Sequence, residues 1–296
     1  MKLEKIYFKA TDGLELYGLL HLPDNKTSRV VISTHGITSN LFRKREDVIA
    51  QEVTKSGITY LSYNNRGHDL VSTSNRNQEK ILGGSVYEDV LDSYYDVKGA
   101  ISFAKSLGFQ EIILQGHSLG CTKTVYTYHK MIERKDEEIS LIKAIILLSP
   151  VDIPAVLKFS LGKSFNRAIH YAISQKKKRK ELSLMPEGSF ICPISVKSFL
   201  RYSVDNHEID FFKYGEKENK LEILNEIKVP LMIRWGNQNE LILQNAEILS
   251  KELVDKIQNE KKDIGYIDGA THNYAGKEEE LAKQIKEFVE KIEIKR

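Results

Sequence analysis

The stretch Glu111-Ile112-Ile113-Leu114-Gln115-Gly116-His117-Ser118-Leu119-Gly120 decides how the rest of the chain is read. Its first half is a short apolar run, the kind that forms a strand buried on both faces of a parallel sheet. A helical pattern from Cys121 to Met131 follows directly. Between the two, glycines stand two before and two after Ser118, which clears side chains from a turn that must bend sharply to lift the serine hydroxyl off the sheet. Strand, Gly-x-Ser-x-Gly turn and helix together satisfy the pattern of a nucleophile elbow. The glycine spacing alone is common, and an ordinary glycine-bounded turn is the competing reading. The flanking strand and helix tip the balance to Ser118 as a nucleophile.

Upstream, residues 2 to 9 and 14 to 22 alternate polar and apolar side chains around Thr11-Asp12-Gly13, which predicts a hairpin with a tight turn. Val30 to Thr34 reads as another strand buried on both faces. A helix over 43 to 56, a strand over 58 to 63 and a long helix over 85 to 107 lead back to the elbow. Downstream, Ala144 to Leu148 is a buried strand. Val229 to Arg234 and Asp263 to Ile267 are strands, each followed by a helix, the last over 276 to 292. Such alternation is the signature of a layered α/β domain.

The alternation stops between Pro150 and about Ile227. Four of the six prolines fall here, Pro150, Pro154, Pro186 and Pro193, with short helical patterns at Phe165 to Ile173 and Ser195 to Tyr202. The stretch is too long for a plain loop in a compact domain. The expected organisation is a core of residues 1–152 and 228–296 carrying a helical cap, residues 153–227.

At 296 residues, 41% hydrophobic and 29% charged, the chain has the balance of a globular protein and not of a disordered one. Its 44 basic and 41 acidic residues leave a formal charge of +3, which gives no push toward nucleic acid. Two cysteines, Cys121 and Cys192, are too few for a disulfide scaffold. The N-terminal residues lack the apolar stretch of a signal peptide, and no run is apolar and long enough to span a membrane. A cytoplasmic protein without stable membrane insertion is the expectation. The run Lys176 to Lys180 is read as a solvated face, with contact to phosphate groups or an anionic surface as its alternative.

Acyl transfer through a tetrahedral intermediate requires N–H donors aimed at the oxygen that turns negative. The amide of Leu119, just after the nucleophile at a helix N-terminus, is one candidate. The amide of Ile37, in Thr34-His35-Gly36-Ile37 at the end of a strand, is the other. His35 itself is read as a loop histidine that bonds locally. No metal is expected, because His117 and Cys121 lack further ligands at a supporting spacing.

The order of these features resembles the α/β-hydrolase superfamily, particularly its intracellular esterase, lipase and feruloyl-esterase-like members. The residues that carry the resemblance are the hairpin, His35-Gly36, Asn65-Arg66-Gly67-His68, Gly116 to Gly120 and a late histidine. It covers the chain apart from most of 153–227. It implies the α/β-hydrolase fold: a mostly parallel eight-stranded sheet with one antiparallel edge strand, helices on both faces and a cap. It also implies a two-step acyl-enzyme mechanism. Where relatives usually have glycine after Arg-Gly-His, this chain has Asp69, a change expected to alter a loop near the mouth of the site.

A serine needs a base to take its proton. Of eight histidines, only His272 sits in a loop after the last strand, in Gly269-Ala270-Thr271-His272-Asn273-Tyr274. The acid is less direct. Relatives carry it after the strand that here is Val229 to Arg234, and the loop reads Trp235-Gly236-Asn237-Gln238-Asn239-Glu240. By match to the family, Asn239 stands at the usual aspartate position. Three readings remain: Glu240, one residue on and longer, reaches His272; Asp152, after the neighbouring strand, supplies the carboxylate; or Asn239 completes a weakened arrangement.

The expected activity is hydrolysis of a carboxylic ester or related acyl compound, with Ser118 as nucleophile, His272 as base and no cofactor. A thioesterase or acyltransferase would use the same serine. A binding protein on an inactive hydrolase scaffold is the alternative, and Asn239 is its support. The expected partner is a small acyl substrate; a homodimer is compatible with the sequence but no residue argues for one.

Overall fold

The computed structural model describes residues 1–25, 27–203, 208–214 and 220–292. Strands β1 (Lys2–Lys9) and β2 (Glu15–Leu22) form the antiparallel hairpin, closed by Gly13 at a φ of +88° that glycine adopts freely. There follow β3 (Arg29–Thr34), α1 (Lys44–Lys55) and β4 (Thr59–Asn64). A small hairpin, β5 (Ser72–Arg76) and β6 (Glu79–Gly83), stands apart from the main sheet. Next come α2 (Ser93–Ser106), β7 (Glu111–His117), α3 (Leu119–Glu133) and β8 (Ile142–Leu148).

Among the described residues of the stretch before the next strand there are four α-helices: α4 (Ile153–Leu161), α5 (Phe165–Lys177), α6 (Val196–Ser203) and α7 (Glu222–Asn225). Its described residues contribute nothing to the sheet. The chain ends with β9 (Leu231–Gln238), α8 (Ala246–Lys256), β10 (Lys262–Thr271) and α9 (Glu278–Glu290).

The main sheet has eight strands in the order β1-β2-β4-β3-β7-β8-β9-β10. Every pairing is parallel except the two made by β2. The single reversed strand therefore lies one place in from the edge, not at it, because the hairpin returns β1 to the common direction. Alternate residues of the central strands feed two cores. Val30, Ile32, Ile112, Leu114, Ile145, Leu147 and Ile233 face one, while Val31, Ile113, Ile146, Leu148 and Met232 face the other. This two-sided burial is why the strands read as unbroken apolar runs.

The second core is closed by α1 and α9, whose Ile49, Val53, Leu281, Ile285 and Val289 recur at helical spacing. Each such side chain stabilises the packing by roughly 1.5–3 kcal/mol. The first core is closed by α2, α3 and α8, and it runs on into Leu157, Phe165, Phe199 and Tyr202 of the inserted helices.

A second expectation needed correction. The long helix over 85 to 107 is helical only from Ser93, preceded by a single short turn over Val90–Asp92. Ser195 and Ser198 explain the difference, since they bond to the Val86 and Glu88 carbonyls and hold that stretch as irregular chain beneath α6. The hairpin β5–β6 escaped notice because its residues are largely polar and exposed, leaving little alternation to read.

Candidate active site

Five parallel strands end along one edge of the sheet in register: Thr34 pairs with Gly116, His117 with Leu148, and Leu148 with Arg234. The loops after β3, β7, β8, β9 and β10 therefore meet there, as ligand sites do in open α/β sheets. The candidate nucleophile, base, acids and oxyanion donors all lie in those loops or at the head of α3.

Ser118 has φ +55° and ψ −123°, a conformation that side chains rarely adopt. The flanking glycines are required by contact. A Cβ on Gly116 would lie 2.4 Å from the Gly120 carbonyl oxygen, and one on Gly120 would lie 2.0 Å from that of Thr34. Cys121 sits beneath the turn with its thiol directed at the Gly116 and Leu148 carbonyls, and burial pushes its pKa well up. It is a core residue.

His272 reaches Ser118 because β10 is irregular. Ile267 pairs with Gly236 but Thr271 pairs with Gln238, so β10 carries extra residues there. The bulge packs onto Gly236, where a Cβ would lie 2.2 Å from the Ala270 oxygen. His272 Nε2 lies 2.9 Å from Ser118 Oγ, and His272 Nδ1 lies 2.6 Å from Glu240 Oε2.

Of the three candidate acids, the structure brings only Glu240 to the imidazole. Its side chain is 4% exposed, and it accepts from the amides of Gly236 (3.1 Å) and Leu241 (3.0 Å) and from Ser149 Oγ. Asn239 is exposed, with φ +51°. Asparagine tolerates that left-handed turn. Asp152 is the N-cap of α4, accepting from the Ala155 amide at 3.2 Å.

Several supporting groups were not legible in the sequence. Tyr274 is fully buried, its hydroxyl 2.9 Å from Ser149 Oγ and 2.8 Å from the Arg234 carbonyl. His117 lies behind His272, where its Nε2 donates to the His272 carbonyl at 2.8 Å. Burial holds its pKa well below the usual histidine value, so it braces the loop as a neutral donor.

Gly36 brings the β3 loop against the elbow: a Cβ there would lie 2.9 Å from both the His117 oxygen and Ser118 Cβ. Ile37 and Leu119 both line the cavity above Ser118, and neither amide N–H donates to another described residue. His35 is buried and bonds locally, Nδ1 to the Gly36 carbonyl and Nε2 from the Asn65 amide, and burial lowers its pKa to about 3. Asp69, where relatives have glycine, keeps a glycine-like φ of +57°. Its carboxylate accepts from Asn40 and His68.

The cavity over Ser118 has a volume of about 160 Å³ and a mostly apolar wall, including Val156, Leu157, Leu161, Phe190 and Tyr202. Among the described residues, no group of three or more His, Cys, Asp or Glu side chains could hold a metal ion, and no helix is long and apolar enough to cross a membrane.

The eight-stranded sheet, the order of its elements and the strained serine at the β7–α3 turn are those of the α/β-hydrolase fold. The chain belongs to the family described as "Protein of unknown function (DUF1749)", whose model matches residues 89–294. No curated protein matches it. Among solved structures it resembles Est1E from Butyrivibrio proteoclasticus with ferulic acid bound, at 19% identity and a TM-score of 0.66, over 96% of this chain and 98% of that one. It also resembles the α/β hydrolase GrgF from Penicillium sp. sh18, at 16% identity and a TM-score of 0.67, over 99% of both chains. The Pyrococcus furiosus esterase Pf2001 matches at 19% identity and a TM-score of 0.58, over 98% of this chain and 91% of that one. At such identities the likeness establishes the fold and nothing finer.

Proposed function

We propose that this chain is a serine hydrolase that cleaves a carboxylic ester or related acyl compound through an acyl-enzyme intermediate on Ser118. The observation that carries the reading is the unbroken line from Ser118 Oγ to His272 Nε2 (2.9 Å) and from His272 Nδ1 to Glu240 (2.6 Å). A hydroxyl, an imidazole and a buried carboxylate in hydrogen-bond contact are the parts that general-base activation of a serine needs.

In this mechanism His272 Nε2 takes the Ser118 proton as Oγ attacks the acyl carbon. The carbonyl oxygen becomes negative between the amides of Ile37 and Leu119. As the intermediate collapses, the imidazolium returns its proton to the departing alcohol or thiol. Water, deprotonated by the same histidine, then attacks the acyl carbon and frees Ser118 and the acid. Glu240 holds the imidazole in one tautomer and offsets its charge at each transfer. The carboxylate itself is fixed by the Gly236 and Leu241 amides and by Ser149.

Residues 153–227 serve as the cap, with α4 and the 188–191 loop forming much of the cavity wall. A cavity of about 150 Å³ holds one benzene ring. The 160 Å³ here therefore suits an aryl or medium-length acyl group, bound by apolar contact. Thioester cleavage and acyl transfer would use the same residues. The inactive-scaffold alternative drew its support from Asn239, and the contact between Glu240 and His272 favours the active reading.

The test is to incubate wild type and Ser118→Ala with a fluorophosphonate and measure intact masses. One adduct on wild type and none on the variant is the expected result. Equal labelling of both proteins, or none on folded wild type, would reject the reading.

A further inference from the structure

From Ile153 to Lys180 the chain has no Asp or Glu, yet it carries Lys158, Lys163, Arg167 and the whole run Lys176 to Lys180. These eight cations exceed the formal charge of the entire chain, +3, so the remainder of the molecule is net negative. All eight are exposed, and none is ion-paired among the described residues. Lys98 and Lys130, by contrast, are paired with Asp136 and Glu133. The neighbouring acids do not neutralise the patch: Asp152 caps α4, and Glu181 and Glu187 follow it, exposed.

Exposed apolar side chains belong to the same inserted segment. Phe159 is 76% exposed and Ile191 61%. Each adjoins residues of the cavity wall, Ser160 and Leu161 for the first and Phe190 for the second. On α5, Tyr171 is one turn beyond Arg167 and Ile173 one turn before Lys177, so each of two exposed apolar groups neighbours a cation along the helix. Soluble surfaces rarely combine unpaired charge of one sign with an exposed Phe at the rim of an apolar cavity.

We infer that α4, α5 and the 176–180 run dock the chain on an anionic lipid surface, with Phe159 and Ile191 entering the headgroup layer at the rim of the cavity. Basic residues are drawn to the negative leaflet, and exposed apolar groups sink into the boundary between headgroup and acyl chain. A nucleic acid would meet the cations equally well but would gain nothing from Ile173 or Ile191; a lipid surface uses both. Docked in this way, the cavity opens toward the acyl chains, so that the substrate class becomes an acyl ester residing in, or partitioning into, a membrane. That last step rests on the proposed hydrolase reading, whereas the docking does not.

The experiment is sedimentation with phosphatidylcholine vesicles, with and without phosphatidylserine, using the Ser118→Ala protein so that binding is read independently of turnover. Binding to the serine-lipid vesicles alone, weakened by salt, is expected. The combined variant Lys177→Glu, Lys178→Glu, Arg179→Glu should bind at least about a hundredfold more weakly. Phe159→Ser should lose about tenfold. Both variants, made in the wild-type background, should retain the thermal stability and fluorophosphonate labelling of wild type. Failure of the parent protein to bind phosphatidylserine vesicles at low salt would overturn the proposal. Binding that survives Phe159→Ser undiminished and is competed by RNA would overturn it too, since the patch would then be a general polyanion site. Failure of labelling with intact vesicle binding would reject the hydrolase reading and leave the docking standing.

Discussion

Glu240 Oε2 lies 2.6 Å from His272 Nδ1, while Asn239, the residue just before it, faces solvent. The loop after β9 turns through a left-handed residue at Asn239, and the carboxylate arrives one position later in the chain. The additional methylene of glutamate over aspartate covers the extra reach.

Glu240→Gln should therefore leave the fold in place and lower kcat by about 10³ to 10⁴-fold, through loss of charge and the wrong imidazole tautomer. Asp152→Asn should change kcat by no more than a few-fold, because asparagine caps a helix as well as aspartate. Steady-state kinetics on a soluble aryl ester, with both variants side by side, decides it. A larger loss in Asp152→Asn would remove Glu240 from its role.

The elbow, the hairpin and the two-sided strands were legible because each rests on local chemistry: glycine spacing, a turn triplet, unbroken apolar runs. Ser118 and His272 followed from their places at strand ends. The acid stayed open among three residues, since which of Asn239 and Glu240 turns inward depends on the φ of one residue. Ser149 and Tyr274 could not be read at all, and the bond from His117 to the His272 loop could not be foreseen. Their roles arise from contacts across 125 positions in the case of Ser149 and Tyr274, and 155 in that of His117 and His272. The helix expected from residue 85 starts only at Ser93 for the same reason, because bonds from Ser195 and Ser198 override the local pattern.

The strain at Ser118 predicts a stability difference. At φ +55° a Cβ is disfavoured, by about 1–3 kcal/mol for such conformations. Both Ser118→Ala and Ser118→Gly should abolish labelling, but the glycine variant should be the more stable, by about 1 kcal/mol after its greater freedom in the unfolded chain is offset. Urea midpoints in the opposite order would mean that the elbow is not strained in solution.

Lys123 and Glu88 form an ion pair 2.7 Å apart with both side chains fully buried, and Lys123 also donates to Asn65. Removing one charge leaves the other unpaired in the core, at a cost of about 3–5 kcal/mol. Glu88→Gln and Lys123→Met should each unfold at much lower urea than wild type. The double variant Glu88→Leu, Lys123→Met should recover most of the loss. If it is no better than the singles, packing and not charge is the dominant effect.

Stability should fall as the solution is acidified below about pH 6.5. Burial lowers the His35 pKa to about 3 and holds that of His117 well below 6.5, so the unfolded chain binds protons that the folded one does not. The stabilisation is complete above about 6.5, where both states are neutral, and it drains away as pH falls toward 3. In that window His35 contributes up to about 1.4 kcal/mol per pH unit, and His117 acts in the same direction. His35→Gln should reduce the slope of unfolding free energy against pH by that amount. An unchanged slope would show that His35 is already protonated in the folded protein.

Gly36→Ala tests the proposed oxyanion site with the serine, the histidine and the acid themselves unsubstituted. Gly36 is not among the glycines with positive φ, so alanine fits the backbone conformation and the effect comes from contact alone. Its Cβ would lie 2.9 Å from the His117 carbonyl oxygen and 2.9 Å from Ser118 Cβ, neither of which can rotate aside. The loop must retreat, carrying the Ile37 amide away from the position it shares with that of Leu119. Loss of one donor to a developing oxyanion costs about 10²–10³ in kcat, and a loss of that order is expected here with little change in KM. Ser118 and His272 are both retained, so fluorophosphonate should still add to the serine, more slowly than in wild type. Wild-type kcat in a folded Gly36→Ala protein would show that the Ile37 amide is not a donor, and that the negative oxygen is held by groups other than the β3 loop.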